Sequence, residues 1–117
     1  MKVLVVDDEP LVRRSLEKAL VHRGHQVVQA ADGRAGMDVW ISEKPDLIFL
    51  DILMPGLSGL QVLKELGPRK TGKVVLMSAY SGVHGQETVQ QMGADLFVAK
   101  PFDDILEVVK KAEGLIA

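Results

Sequence analysis

The sequence predicts an α/β fold, an open, doubly wound parallel sheet of five strands with five helices distributed over its two faces. Five short apolar runs, rich in Val, Leu, Ile or Phe, alternate with longer stretches in which apolar residues recur at helical spacing. The connections between these segments are short, as in β-α units with right-handed crossovers. In sheets of this kind, functional groups lie beyond the carboxyl ends of the strands.

The strand candidates are spread along the whole chain. They are residues 2–6 (KVLVV), 26–30 (QVVQA), 46–50 (DLIFL), 73–78 (KVVLMS) and 95–99 (DLFVA). Several are apolar at successive positions, which is typical of parallel strands buried on both faces.

A helix candidate follows each strand candidate. The apolar positions that indicate these helices are Val12, Leu16 and Leu20; Val39, Trp40 and Ile41; Leu60, Leu63 and Leu66; Val89 and Met92; and Ile105, Val108, Val109 and Ala112. Pro10 suits a first helical turn, and Asp103 or Asp104 should cap the last helix. Glycines 24, 67 and 93 fall where helices should end. We interpret the single tryptophan, Trp40, as a core residue.

Length and composition narrow the function classes. With 117 residues, 47% of them apolar and 26% charged, we expect one globular domain over 1–117, either a whole protein or the N-terminal part of a longer one. No apolar run approaches the roughly 18 residues of a membrane span, and no secretory signal is present, so we expect a cytoplasmic protein. The net charge of −2 and the scattered basic residues argue against direct nucleic-acid binding. The absence of cysteine excludes thiolate metal sites.

Polar residues collect where four of the five strand candidates end. They are Asp7, Asp8 and Glu9 after the first strand, Asp51 after the third, Ser78 after the fourth and Lys100 after the fifth. In a sheet that places these four strands side by side, the groups would share one crevice.

The chemistry of this set favours a metal ion and an anion. Three neighbouring carboxylates repel one another unless a cation neutralises them, and oxygen-only ligands favour Mg²⁺. A metal and a lysine beside a carboxylate suit phosphoryl transfer onto that carboxylate. Each residue also has an ordinary interpretation, in which Asp7 and Asp8 cap a helix, Asp51 begins a turn and Lys100 lies in a loop.

Four segments of the chain together resemble the receiver domain of two-component response regulators. They are VLVVDDEP near the start, LIFLDILMPGLSG in the middle, VVLMSAY at the fourth strand and GADLFVAKPF at the fifth. The resemblance covers essentially the whole chain. It implies the strand order 2-1-3-4-5 of flavodoxin-like folds.

The resemblance also implies roles for individual residues. Asp51 would accept a phosphoryl group from a sensor histidine kinase or a histidine phosphotransfer protein. Asp8, Asp51 and the main-chain carbonyl of Leu53 would bind Mg²⁺ directly, with Asp7 acting through water. Lys100 would pair with Asp51 before phosphorylation and with the phosphoryl oxygen afterwards. The peptide bond between Lys100 and Pro101 would be cis, which is rare in X-Pro bonds generally.

Other positions would transmit or tune the signal. Ser78 would move toward the phosphoryl group, and Phe97 would turn inward, although Phe97 also fits a strand aromatic that packs beneath a helix. Leu53 lies two residues beyond Asp51, and Tyr80 lies two residues beyond Ser78. Because both are bulky, we expect slow self-dephosphorylation. The three histidines, at positions 22, 25 and 84, receive no role.

We therefore expect a signalling phosphoacceptor that catalyses only its own phosphorylation and slow dephosphorylation. Its face around strands 4 and 5 and helices 4 and 5 would control an output domain or partner, with transcription regulation as the expected output. A phosphorylation-dependent homodimer remains open. One alternative is an unphosphorylated docking module. Another is a Mg²⁺-dependent phosphohydrolase with an aspartyl phosphate, although the D-x-D pattern of haloacid-dehalogenase-like enzymes is absent from the first strand.

Overall fold

The computed structural model describes residues 1–79 and 86–116, in which strands and helices alternate along the chain. The elements are β1 (Lys2–Val6), α1 (Pro10–His22), β2 (Gln26–Ala30), α2 (Gly33–Glu43), β3 (Leu47–Asp51), α3 (Gly59–Leu66), a short 3₁₀ helix (Gly67–Arg69), β4 (Lys73–Ser78), α4 (Gln86–Gln91), β5 (Leu96–Ala99) and α5 (Ile105–Glu113). No helix in the described part combines the length and apolarity that crossing a bilayer requires.

The five strands form one parallel sheet in the order β2-β1-β3-β4-β5, which confirms the predicted fold and strand order. In the central pairs Val6 lies opposite Leu50, and Leu50 lies opposite Leu76. The carboxyl ends of β1, β3 and β4 therefore meet at one edge of the sheet.

Two strands begin one residue later than predicted, and in both cases an aspartate explains the difference. The Asp46 carboxylate accepts a hydrogen bond from the Lys2 main-chain nitrogen at 3.0 Å, and the Asp95 carboxylate accepts one from the Val74 nitrogen at 2.8 Å. Each side chain thus binds a main-chain donor at the start of a neighbouring strand. β3 in turn extends one residue further than predicted and includes Asp51.

The core consists of two layers, one on each face of the sheet. Alternate strand residues point to opposite faces, so Leu4 and Ile48 belong to the layer beneath α2, α3 and α4, whereas Val5 and Phe49 belong to the layer beneath α1 and α5. Trp40 is buried in the first layer and donates its indole N–H to the Thr71 carbonyl at 2.9 Å, which confirms its core interpretation.

The helix ends follow the predicted signals, with one informative exception. Pro10 begins α1, and Asp104 caps α5 by accepting hydrogen bonds from the main-chain nitrogens of Leu106 and Glu107. The N-cap of α1 is Glu9, and its side chain makes no capping hydrogen bond. Neither Asp7 nor Asp8 occupies the N-cap position of α1, so the ordinary interpretation of these two acids as helix caps is wrong.

Glu113, the last residue of α5, joins this helix to the turn between α1 and β2. The Arg23 guanidinium donates from Nε and Nη2 to the Glu113 carboxylate, with a shortest distance of 2.6 Å. The Nε2 atom of His25 lies 2.6 Å from the same carboxylate. These contacts lower the pKa of Glu113 to about 2, chiefly through the hydrogen bond from Arg23. His25 therefore has a structural contact that the sequence did not suggest.

Candidate functional site

Three carboxylates lie together at the carboxyl edge of the sheet. Asp7 follows β1 and Asp51 ends β3; they are 0% and 2% exposed, whereas Asp8 faces solvent. One oxygen from each carboxylate lies within 4.8 Å of the others. The structure thus brings together the three acids that the sequence predicted to meet.

Asp7 is held on several sides. Its main-chain nitrogen donates to the Ala30 carbonyl at the end of β2, at 3.2 Å. The Arg13 guanidinium donates to the Asp7 carbonyl at 2.6 Å, and the Glu9 main-chain nitrogen donates to Oδ1 of Asp7 at 2.9 Å. The first two bonds hold the main chain of Asp7, and the third orients a carboxylate that has no access to solvent.

Asp51 is positioned by the strand itself and by the chain that follows it. The Ile52 nitrogen continues the β4 pairing by donating to the Met77 carbonyl at 2.9 Å, and the Gly59 nitrogen donates back to the Ile52 carbonyl at 2.9 Å. The start of α3 is therefore packed directly against the end of β3, and the main chain next to Asp51 is hydrogen-bonded on both sides.

Lys100 reaches the same cluster from beyond β5. Its main-chain nitrogen donates to the Ser78 carbonyl at 2.8 Å, and the peptide bond between Lys100 and Pro101 is cis, as the resemblance implied. Its Nζ lies 2.8 Å from Oδ2 of Asp7, 3.1 Å from Oε1 of Glu9 and 3.4 Å from Oδ1 of Asp51. A side chain only 7% exposed thus carries its charge into the acidic cluster.

Burial and charge repulsion disfavour ionisation of Asp51. Loss of solvent raises the pKa of Asp51 to about 7, the Asp7 charge adds to the rise, and Lys100 opposes it. Burial also lowers the pKa of Lys100, but hydrogen bonds to Asp7 and Glu9 outweigh it, so the pKa of Lys100 is raised. The lysine is a permanent cation, whereas the charge on Asp51 is poorly compensated.

The remaining predicted residues occupy different surroundings. Ser78 is buried and follows Met77, the register partner of Asp51, so it lies at the same edge. Phe97 is half-buried and packs against the core layer beneath α2, α3 and α4. The Leu53 side chain is largely exposed, at 63%. Tyr80 lies outside the described residues.

Two contacts of the site were missed by the sequence reasoning. Glu9 was noted as a strand-end acid but given no partner, and its ion pair with Lys100 joins residues 91 positions apart. Arg13 was not considered, and its contact with the Asp7 carbonyl depends on the first turn of α1 facing the strand end. The sequence signal that could have indicated both contacts was the presence of charged residues, Glu9 and Arg13, close to Asp7 and Asp8 in the chain.

A groove of about 520 Å³ borders the cluster on the α1 side. Its lining includes the charged residues Glu9 and Lys100, and its apolar part includes Leu11, Val12, Pro101 and Phe102. The groove is therefore formed by α1 and the segment that follows β5, and it reaches the site at Glu9 and Lys100, whereas Asp7, Asp8 and Asp51 do not line it.

Comparison with known proteins places the chain in one family. Residues 3–112 match the family model of the response regulator receiver domain. The chain is 39% identical over 101 residues to a probable transcriptional regulator, ycf27, of Porphyridium aerugineum, covering 86% of this chain and 42% of that protein. It is 35% identical over 113 residues to the sporulation initiation phosphotransferase F of Bacillus subtilis, covering 94% of this chain and 91% of that one. The chain thus spans about two-fifths of one relative and nearly all of the other.

Solved structures show the same fold. The response regulator protein TrrA of Thermotoga maritima, in complex with Mg²⁺ and BeF, superposes with a TM-score of 0.83 at 36% identity, covering 97% of both chains. A chain of the CheX-CheY complex of Borrelia burgdorferi with BeF₃ and Mg²⁺ gives a TM-score of 0.89 at 25% identity, covering 100% of this chain and 90% of that one. With the family match over nearly its entire length, this chain belongs to the response regulator receiver domains.

Proposed function

We propose that this domain is the phosphoacceptor of a two-component signalling system and that Asp51 is the residue that receives the phosphoryl group. The observation that carries the proposal is the convergence of Asp7, Asp8, Asp51 and the Lys100 cation at one edge of the sheet. A buried strand ends there on a carboxylate that burial and the neighbouring Asp7 charge keep from ionising freely.

The donor set fits Mg²⁺. Three carboxylates within 4.8 Å of one another offer only oxygen ligands. Burial, and then the Asp7 charge, raise the pKa of Asp51, and a bound cation would favour its ionised form. Asp8, Asp51 and the Leu53 carbonyl would bind the ion directly, and Asp7 would act through water. When bound, Mg²⁺ would supply charge stabilisation to the phosphoryl oxygens during transfer.

In the transfer itself, a carboxylate oxygen of Asp51 attacks the phosphorus of a phosphohistidine. A P–O bond to Asp51 forms as the P–N bond of the donor breaks, and the imidazole leaves with the electron pair and takes a proton from solvent. Lys100 holds a phosphoryl oxygen, and Asp7 keeps the lysine in place through its hydrogen bond. The product is a mixed anhydride on Asp51.

The output follows from a shifted conformational equilibrium. Phosphorylation must stabilise one arrangement of the domain more than another, and Ser78 and Phe97 are the residues we assign to that change. A partner or an output domain would then be controlled through the face around β4, β5, α4 and α5. The ycf27 relative, which is more than twice the length of the matched region, supports a transcription-regulating output. The phosphotransferase relative, which the chain covers almost completely, supports a role in phosphoryl relay.

Phosphorylation of the purified protein tests the proposal. Incubation with acetyl phosphate and Mg²⁺, followed by intact mass spectrometry, should add one phosphoryl group to the wild-type protein and none to Asp51→Asn. The exposed Asp38 offers a control, and Asp38→Asn should be modified as the wild type is. Omission of Mg²⁺ should suppress the reaction.

The same experiment separates the alternatives. An unmodified wild-type protein that releases no inorganic phosphate would indicate a docking module. Rapid release of inorganic phosphate over many equivalents, with no accumulation of the phosphorylated protein, would indicate a phosphohydrolase. Normal modification of Asp51→Asn would overturn the assignment of the acceptor.

A further inference from the structure

Lys100 is shared unequally among three carboxylates. Its Nζ is closest to buried Asp7, at 2.8 Å, next to Glu9, at 3.1 Å, and farthest from Asp51, at 3.4 Å. The Glu9 side chain is 60% exposed, whereas those of Asp7 and Asp51 are buried. A solvent-facing acid thus binds the lysine more closely than the acceptor does.

The three contacts differ in what their loss would cost. Asp7 has no solvent access, so removing its cation would leave a buried carboxylate poorly compensated. Glu9 is hydrated by bulk water, and its ion pair is of the weak, half-exposed kind. When Lys100 turns toward a phosphoryl oxygen on Asp51, Glu9 is therefore the partner that it can release.

We propose that Glu9 is a positioning residue that retains Lys100 away from the acceptor and so slows phosphorylation of Asp51. This inference rests on the proposed function. The Glu9 carboxylate competes with the incoming phosphoryl oxygens for the same ammonium group. Among the described residues, loss of the ion pair would leave Asp7 and Asp51 as the carboxylates within ion-pair distance of Lys100.

Glu9 can be altered without removing another contact that the fold needs. Although Glu9 is the N-cap of α1, its side chain makes no capping hydrogen bond. Its hydrogen bond to Oδ1 of Asp7 comes from the main-chain nitrogen and is kept in any variant except proline. Glu9→Gln therefore removes the charge facing Lys100 and little else.

The test compares Glu9→Gln with Asp103→Asn. Asp103 is an exposed acid that lines the same groove, and it is not among the carboxylates within ion-pair distance of Lys100 in the described residues. Both variants thus lose one negative charge near the site, but only one loses the contact. The probe is acetyl phosphate at fixed Mg²⁺, and the phosphorylation rate constant is followed by intact mass at low salt.

We expect Glu9→Gln to be phosphorylated about two- to fivefold faster than the wild type, the size expected for one partly exposed ion pair. Asp103→Asn should remain close to the wild-type rate. In about 1 M salt, where the screening length is roughly 3 Å, the advantage of Glu9→Gln should shrink, which a purely structural effect would not do. Equal melting temperatures exclude a folding difference.

Three results would overturn the inference: a Glu9→Gln rate equal to or below the wild type, an equal gain in Asp103→Asn, or a gain unaffected by salt. Failure of the proposed function would look different, because the wild-type protein itself would then acquire no phosphoryl group on Asp51.

Discussion

Gly59 approaches Asp51 so closely that a Cβ atom on the glycine would lie 2.3 Å from the main-chain oxygen of Asp51. Gly59 is the first residue of α3, and its nitrogen donates to the Ile52 carbonyl at 2.9 Å. Only a residue without a side chain permits the helix to begin this close to the strand end. The position of Asp51 thus depends on a glycine eight residues later in the chain.

Gly59→Ala should therefore destabilise the protein, because the clash is with main chain that cannot move aside as a flexible side chain would. We expect a loss of about 1–3 kcal/mol in the free energy of unfolding, measured by urea denaturation. Gly114→Ala is the control, since its new Cβ would come no closer than 3.3 Å to the Lys111 carbonyl. Equal stability of the two variants would contradict the argument.

Asp51→Asn should stabilise the metal-free protein at alkaline pH. The pKa of Asp51 is raised from 3.8 to about 7 on folding, so the folded state retains this proton and loses stability as pH rises between these values. In chelator at pH 8, the variant should gain on the order of 1–3 kcal/mol, and the gain should approach zero near pH 4. Asp38→Asn serves as the control, and a pH-independent difference for Asp51→Asn would contradict the prediction.

Mg²⁺ should raise the melting temperature of the wild-type protein, because an ion that binds the folded state stabilises it by mass action. Asp8 faces solvent, so Asp8→Asn should change the metal-free melting temperature little but should weaken the response to Mg²⁺. Glu65→Gln, which alters an exposed acid on α3, should retain the full response. The measurement is the melting temperature of Asp8→Asn and of Glu65→Gln at increasing Mg²⁺ concentration. An equal rise in both variants would contradict a role of Asp8 in Mg²⁺ binding.

Glu113→Gln should weaken the contacts between α5 and the turn after α1, and so lower the stability of the protein. The pKa of Glu113 is lowered from 4.5 to about 2 on folding, so its stabilising contribution is present above about pH 4.5 and is lost as pH falls toward 2. The variant should melt below the wild type at pH 6, and the difference should narrow at pH 3. A Glu113→Gln protein as stable as the wild type at pH 6 would show that the contacts of Arg23 and His25 contribute nothing.

Leu53→Asn should shorten the lifetime of the phosphorylated protein. Leu53 is 63% exposed and lies two residues beyond Asp51, the proposed acceptor, where an apolar side chain should obstruct water that attacks in line. We expect the wild-type phosphoprotein to decay slowly in Mg²⁺ and the variant to decay severalfold faster. Leu106→Asn, at an exposed position on α5, should behave as the wild type does. A wild-type half-life of seconds would contradict the expectation.

The alternation of apolar runs and helical spacing was sufficient to predict the fold, because buried parallel strands and amphipathic helices have distinct periods. All five strands lie within one residue of their predicted positions. The order 2-1-3-4-5 came from the family resemblance, since periodicity does not reveal which strands are neighbours. The late starts of β3 and β5 depend on contacts of Asp46 and Asp95 with other strands, which local sequence does not encode.

The site was predicted in outline for a similar reason. Residues that follow parallel strands collect at one edge, so the meeting of Asp7, Asp51 and Lys100 required only the topology. The sharing of Lys100 with Glu9 depends on side-chain reach across the loop after β1. The contact between Glu113 and His25 depends on how α1 and α5 pack, and the two residues are 88 positions apart.

Every residue of β3 is buried, including Asp51, the proposed acceptor. Because both faces of this central strand are closely packed, the strand has no free volume into which it could shift. The phosphoryl group that we propose for its last residue would add both volume and negative charge. The added volume and charge must be accommodated outward, by the connecting segments beyond the sheet. We therefore expect β3 to keep its position when Asp51 is phosphorylated. The conformational change that follows phosphorylation should occur in the segments around the strand.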